Sequence, residues 1–217
     1  MYFDRPHDLL RIAPQALLAG SVPPWVSDHL RLSRCVVVRR TARAEPRIPV
    51  GVRGSQRHQR WAATCQPEWI EAIATPSQLL QCAVSGQRAN TSPAFHALET
   101  LKDLWKDLSL AWGPGGSVGF ELATGVPVVK PESDLDIVIY ADRPIPAAID
   151  SAPCGCANGL AAPVDIRVET PSSGFALREY ARNWPAPILL RTAAGVMLGA
   201  DPWESNRESD SSPAVPR

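Results

Sequence analysis

A chain of 217 residues, 45% hydrophobic and 20% charged, is long enough to bury one large core or two small ones without disulfides or a structural metal. Its formal net charge of zero removes any global electrostatic case for nucleic acid or an anionic membrane, so neither is expected as a partner. The 22 prolines lack a backbone donor and predict short elements broken by turns.

The opening MYFDRPHDLL has no basic segment followed by an apolar one, and no apolar run approaches the roughly 18 residues of a membrane span. The expectation is a cytoplasmic protein. Residues DLLRIAP, LSRCVVVRR and PRIPVGVRG then suggest a small α+β unit, with Cys35 to Val38 as a strand. Between Arg31 and Arg60 stand nine arginines against one acidic residue, Glu45, a cationic segment inside a neutral chain. On composition alone such arginines are read first as a solvated face. Thr75 to Thr91 shows no period and is the expected boundary region.

Ser92 and Pro93 then open the clearest helix, with Ser92 as cap and Phe95, Leu98, Leu101, Leu104, Trp105 and Leu108 recurring every three or four residues. A strand-like SLAW and the glycine turn GPGGS follow, then VGFELATG and the strand SDLDIVIY. Cys154 and Cys156 lie in SAPCGCANG, read as a surface loop. With Cys35, Cys65 and Cys82 they form five cysteines without repeated spacing, which gives neither a disulfide framework nor a zinc site. PVDIRVET reads as a strand, GFALREYARNW as a helix, ILLRT and VMLG as a final apolar pair, and the rest as a frayed end.

Two carboxylates, Asp134 and Asp136, sit two residues apart in the strand-like run, so they share a face while Leu135 and Ile137 enter the core. Two strand steps separate their Cα atoms by about 6.6 Å, within reach of one divalent cation. Asp165 alternates in the same way between Val164 and Ile166, leaving Asp165, Arg167 and Glu169 on one side. If the two strands are neighbours, three carboxylates meet, and a hard-oxygen set of this kind favours magnesium or manganese. An isolated pair of acidic residues on a strand is more often plain solvent-facing decoration.

The glycine turn upstream adds weight. Gly115, Gly116 and Ser117 stand between a strand and a helix, where backbone N–H groups and the helix end turn toward an anion such as a triphosphate. An ordinary turn with a capping serine is an equal reading of these residues taken alone. Lys130, one of three lysines, adds a charge near the acidic strand. Gly115-Gly116-Ser117-Val118-Gly119 also matches the serine-hydrolase elbow, but all four histidines precede Ser117, against the order that fold requires.

The run GGSVGFELATGVPVVKPESDLDIVI resembles the signature of polymerase-beta-like nucleotidyltransferases. Its ELATG insertion, together with RPHDLLRI and IPVGVRGSQRHQRWA, is similar to the family of malonate decarboxylase holo-acyl-carrier-protein synthases, also called phosphoribosyl-dephospho-CoA transferases. That resemblance implies an α+β protein with a nucleotidyltransferase-like mixed sheet and flanking helices over residues 90–205. A smaller basic N-terminal α+β domain over 1–80 would bind substrate or carrier, and 206–217 would be a flexible tail. It implies transfer of a phosphoribosyl-dephospho-CoA group from triphosphoribosyl-dephospho-CoA to a serine of the acyl carrier protein subunit of malonate decarboxylase, with pyrophosphate released. Asp134 and Asp136 would be catalytic, joined by Asp165 as metal ligands. Gly115, Gly116, Ser117, Lys130, Arg53, Arg57 and Arg60 would hold the donor. The alternatives are a nucleotidyltransferase using an ordinary nucleoside triphosphate and a non-catalytic carrier-binding module.

Overall fold

A computed structural model of the chain describes residues 5–13, 16, 22–42, 46–54, 56, 58–83, 88, 91–145 and 159–204. The first sheet contains β1 (Leu9–Ile12), β2 (Cys35–Val38), β3 (Ile48–Arg53), β4 (Arg60–Cys65) and β5 (Ile70–Ala74), in the order β4-β3-β2-β1-β5. All its pairings are antiparallel. Helix α1 (Pro24–Ser33) starts with proline in its first turn and ends at Arg34, whose left-handed backbone returns its N–H to Leu30 O. Val26 and Leu30 of α1 pack with Ile48, Val50 and Val52, the alternating face of β3, into one core. Pro49, Gly51 and Arg53 occupy the opposite face of β3.

The second sheet contains β6 (Ala111–Pro114), β7 (Leu135–Tyr140), β8 (Val164–Glu169), β9 (Ser173–Ala176), β10 (Ile188–Thr192) and β11 (Gly195–Gly199), in the order β11-β10-β9-β8-β7-β6. Only the β7–β8 pair among these is parallel. The protein is therefore α+β with a mixed C-terminal sheet, as expected. Its helices are α2 (Pro76–Leu79), α3 (Pro93–Leu104), α4 (Gly116–Thr124) and α5 (Leu177–Asn183). Leu135, Ile137 and Ile139 join Val164, Ile166 and Val168 in a second core with Phe95, Leu98 and Leu101 of α3. Each fully buried side chain of that size contributes about 1.5–3 kcal/mol.

Several sequence expectations need correction. Ser92 precedes α3 but makes no side-chain cap hydrogen bond, and its buried Oγ has no partner among the described residues. The helix stops at Leu104, which is 52% exposed, while Trp105 turns inward against Trp112. Leu101 and Trp105 are buried, whereas Leu104, the last helical residue, faces outward. GFALREYARNW is not one helix: Ser173–Ala176 is a strand that pairs with both β8 and β10, and α5 begins only at Leu177. Helix α2, closed by a reciprocal cap between Thr75 and Gln78, stands at the start of the stretch expected as a boundary and does not alter that expectation. The cysteine loop around Cys154 and Cys156, residues 206–217 and Arg57 lie outside the described residues.

Candidate active site

Parallel pairing sets Asp136 directly beside Asp165, with Leu135 opposite Val164 and Tyr140 opposite Glu169. Alternation then puts Asp136, Val138 and Tyr140 of β7 on the same face as Asp165, Arg167 and Glu169 of β8. Asp134 lies just before β7. Asp134 and Asp165 are exposed and Asp136 is half-buried. Burial raises the pKa of Asp136 first, and the charges of Asp134 and Asp165 add to it; Arg53 and Arg167 work in the opposite direction. Arg167 is 3.9 Å from Asp165.

The glycine turn folds directly onto this carboxylate. Gly115 N–H donates to Asp136 O at 2.9 Å, and α4 begins at the next residue with no side-chain cap. Gly116 has φ +53°, and a Cβ there would lie 1.8 Å from Asp136 Oδ2. Only glycine meets both requirements. Ser117 is half-buried in the first turn of α4, where backbone N–H groups have no partner within the helix. The elbow pattern has a packing origin, since a Cβ at Gly119 would come 2.6 Å from Pro114 O. Among the described residues no histidine is hydrogen-bonded to Ser117; His7 pairs with Glu169 and His29 packs on Phe120.

The cations divide. Arg53 and Arg60 are exposed cross-strand partners, and the charge of Arg53 reaches Asp136. Lys130 is exposed in a turn where Ser133 Oγ accepts its backbone N–H at 3.0 Å. Arg167 is the cation to which sequence reasoning gave no role, although its position two residues after Asp165 already put it on the acidic face. Among the described residues no three His, Cys, Asp or Glu side chains are gathered in the arrangement of a metal site.

Residues 78–202 match the family described as phosphoribosyl-dephospho-CoA transferase MdcG C-terminal domain, and residues 5–76 match its N-terminal domain. The chain belongs to this transferase family. Relatives named phosphoribosyl-dephospho-CoA transferase include one from Pseudomonas aeruginosa, 38% identical over 202 residues, covering 91% of this chain and 93% of the relative. One from Klebsiella pneumoniae is 36% identical over 209 residues, with 92% and 96% covered. One from Pseudomonas putida strain GB-1 is 33% identical over 213 residues, with 94% and 98% covered. No solved structure matches the chain.

Two further clusters hold this family member's site in place. Glu121 of α4 is buried, and its carboxylate takes Nε and Nη2 of Arg88 at 2.8 Å each. The same carboxylate accepts N–H groups of Val128 and Val129, also at 2.8 Å, tying the segment that leads to Asp134 back onto α4. Arg88 falls in the stretch read as a boundary, so this link was not visible in the sequence. At the far end of β8, Glu169 is 4% exposed and joins the two sheets. Its Oε1 lies 2.9 Å from His7 Nε2, and its Oε2 accepts Arg40 Nε at 2.9 Å. Burial opposes the Glu169 charge, yet the hydrogen bond from His7 and the charges of His7 and Arg40 outweigh it and hold the carboxyl below the usual range. His7 itself sits at φ 76°, in the left-handed region. No described helix is long and apolar enough to cross a membrane.

Proposed function

We propose that this protein transfers the phosphoribosyl-dephospho-CoA group from triphosphoribosyl-dephospho-CoA to a serine of the acyl carrier protein subunit of malonate decarboxylase, releasing pyrophosphate. Relatives covering nearly the whole chain carry the name phosphoribosyl-dephospho-CoA transferase. The single observation that supports a phosphoryl-transfer site is the in-register pair Asp136–Asp165 beneath a glycine turn with no room for a side chain at Gly116.

In this reading the serine oxygen of the carrier attacks the α-phosphorus, a new phosphorus–oxygen bond forms, and the bond to the β-phosphate oxygen breaks. The backbone N–H groups of Gly116 and Ser117 and the side chain of Arg53 bind the phosphate chain and orient it for that attack. Arg60 and Lys130 add cationic charge at the rim, and Arg167 faces charge that develops on the leaving pyrophosphate. Asp134 and Asp136 assist deprotonation of the incoming hydroxyl, a carboxylate oxygen of the pair accepting its proton. Burial first, and then the charges of Asp134 and Asp165, raise the pKa of Asp136; these three hard-oxygen side chains would hold magnesium or manganese, although the described structure does not gather them as a metal site. When bound, the cation would neutralise charge on the phosphates.

Mass spectrometry of the apo carrier subunit tests this reading. The carrier is incubated with magnesium, the donor and this protein, beside its Asp134→Ala and Asp136→Ala variants. Addition of the phosphoribosyl-dephospho-CoA mass to one serine by the wild type alone is the expected result. Consumption of an ordinary nucleoside triphosphate with no carrier adduct would replace it with a different nucleotidyltransferase activity. Carrier binding without any turnover would leave a non-catalytic module.

A further inference from the structure

A cavity of about 340 Å³ lies between the two sheets, lined in part by Arg5, Arg39, Arg40, Tyr140, Asp142 and Glu169. The contacts that join the sheets use only some of these groups. Arg40 is committed to Glu169 and to Thr170 O, and the hydroxyl of Tyr140 donates to Pro6 O at 2.7 Å. Arg5 lies over the Tyr140 ring and only 3.9 Å from Asp142, whose side chain is 73% exposed and well screened by water. Arg39 forms no side-chain hydrogen bond or ion pair among the described residues, and its stem crosses β3 where Gly51 leaves space. Two guanidinium groups therefore stand beside an open cavity with charge to spare, next to a carboxylate whose oxygens His7 and Arg40 already occupy.

The cavity's place relative to the carboxylates is fixed by two strands independently. On β7, Tyr140 lines the cavity and Asp136 lies four residues earlier on the same face. On β3, Pro49 lines the cavity and Arg53, whose charge reaches Asp136, lies four residues later on the same face. Four strand steps span about 13 Å in each case. A donor that carries its triphosphate and its dephospho-CoA diphosphate on two linked ribose rings separates its anionic groups by a distance of the same order.

We propose that this cavity binds the diphosphate of the donor's dephospho-CoA half through Arg39 and Arg5 while the triphosphate reacts at Asp134 and Asp136. The proposal rests on the transferase reading above. Guanidinium forks suit a diphosphate, and Arg40 stays fixed as part of the wall.

Calorimetric titration of dephospho-CoA into metal-free protein tests it, with wild type, Arg39→Ala, Arg5→Ala and Arg53→Ala compared at low salt. Arg5, Arg39 and Arg53 are exposed, so the substitutions leave the cores untouched, and matched melting curves check this. Arg39→Ala is expected to weaken dephospho-CoA binding roughly tenfold, the loss of a charge-assisted contact. Arg39→Lys restores part of it, and Arg53→Ala changes it little. Pantetheine, which lacks the diphosphate, does not bind measurably. In turnover, Arg39→Ala raises the donor KM with little change in kcat. Equal affinity in wild type, Arg39→Ala and Arg5→Ala overturns the proposal, as does a larger loss in Arg53→Ala than in Arg39→Ala. Carrier modification measured on the same samples separates the two ideas. An adduct formed with arginine-independent affinity sinks the cavity alone. Arginine-dependent binding without an adduct sustains the cavity and sinks the transferase reading.

Discussion

Asp136→Asn is expected to make the metal-free protein more stable while abolishing transfer. A carboxyl whose folded pKa lies above its unfolded value of about 3.9 opposes folding once ionised. The stability present below that pH is lost as pH rises through the folded pKa. Burial raises Asp136 first, then Asp134 and Asp165, with partial relief from Arg53 and Arg167. Two unit charges in contact repel by about 4 kcal/mol at an effective dielectric of 20, but both neighbouring carboxylates are exposed, and screening brings the net term to about 1 kcal/mol. For a chain of this size that corresponds to a rise in Tm of about 2–4 °C. The assay is a set of melts of both proteins in chelator from pH 4 to 8. The difference should vanish at the acid end and grow to a plateau above the Asp136 pKa. Added magnesium should raise the wild-type Tm and leave the variant unchanged. A variant no more stable than wild type at pH 8, or one whose advantage is the same at every pH, refutes the reasoning.

Gly116→Ala should lower transfer at least about 100-fold, because the new methyl group displaces the Asp136 carboxylate. Its left-handed backbone adds a destabilisation of about 1–2 kcal/mol, readable in urea; full activity in a folded variant would refute the fit described for the turn. Glu121→Gln should cost about 2–3 kcal/mol, since Arg88 loses its carboxylate and two backbone donors share a weaker acceptor; a urea midpoint equal to wild type would contradict it. Glu169→Gln should flatten the acid limb of the stability curve. A carboxyl held below its usual range contributes stability above the unfolded pKa of about 4.3 and loses it as pH falls through the folded value. Burial pushes the Cys35 thiol up to about 12 and the Cys65 thiol up to about 11, so at pH 8 both should alkylate more slowly than half-buried Cys82 in peptide mapping.

The strands that carry the carboxylates were legible because alternation leaves a strong local mark: Leu135 and Ile137 inward, Asp136 outward, and the same in Val164 to Val168. Their pairing was only conditional in the sequence, since nothing local sets two strands side by side in parallel register. Glu169 was the instructive failure. Its alternation put it on the acidic face, and it does lie there, yet it is buried by His7 and Arg40, which stand 162 and 129 residues away in the chain. The helix at Pro93 is visible in the sequence but ends sooner than its spacing suggests: Leu104 satisfies the count while facing outward, and Leu108 reaches the core from beyond the helix end. The strand Ser173–Ala176 was absorbed into a helix because four residues are too few to establish a period of two. In the sequence Gly116 is a generic phosphate-turn glycine; the reason for it, Asp136 Oδ2 standing where its Cβ would be, is a tertiary contact.

The same kind of contact bears on any attempt to dissect the chain. The two family matches meet at residue 77, which invites a cut there. That position lies inside α2, and a Cβ on Gly113 would come 1.9 Å from Pro76 O. The helix is thus seated on the strand that feeds the glycine turn. Fragments divided at residue 77 would each keep half of this seat and complete neither. In chimaeras made from two relatives, Thr75 through Leu79 and Gly113 should be inherited together from one parent.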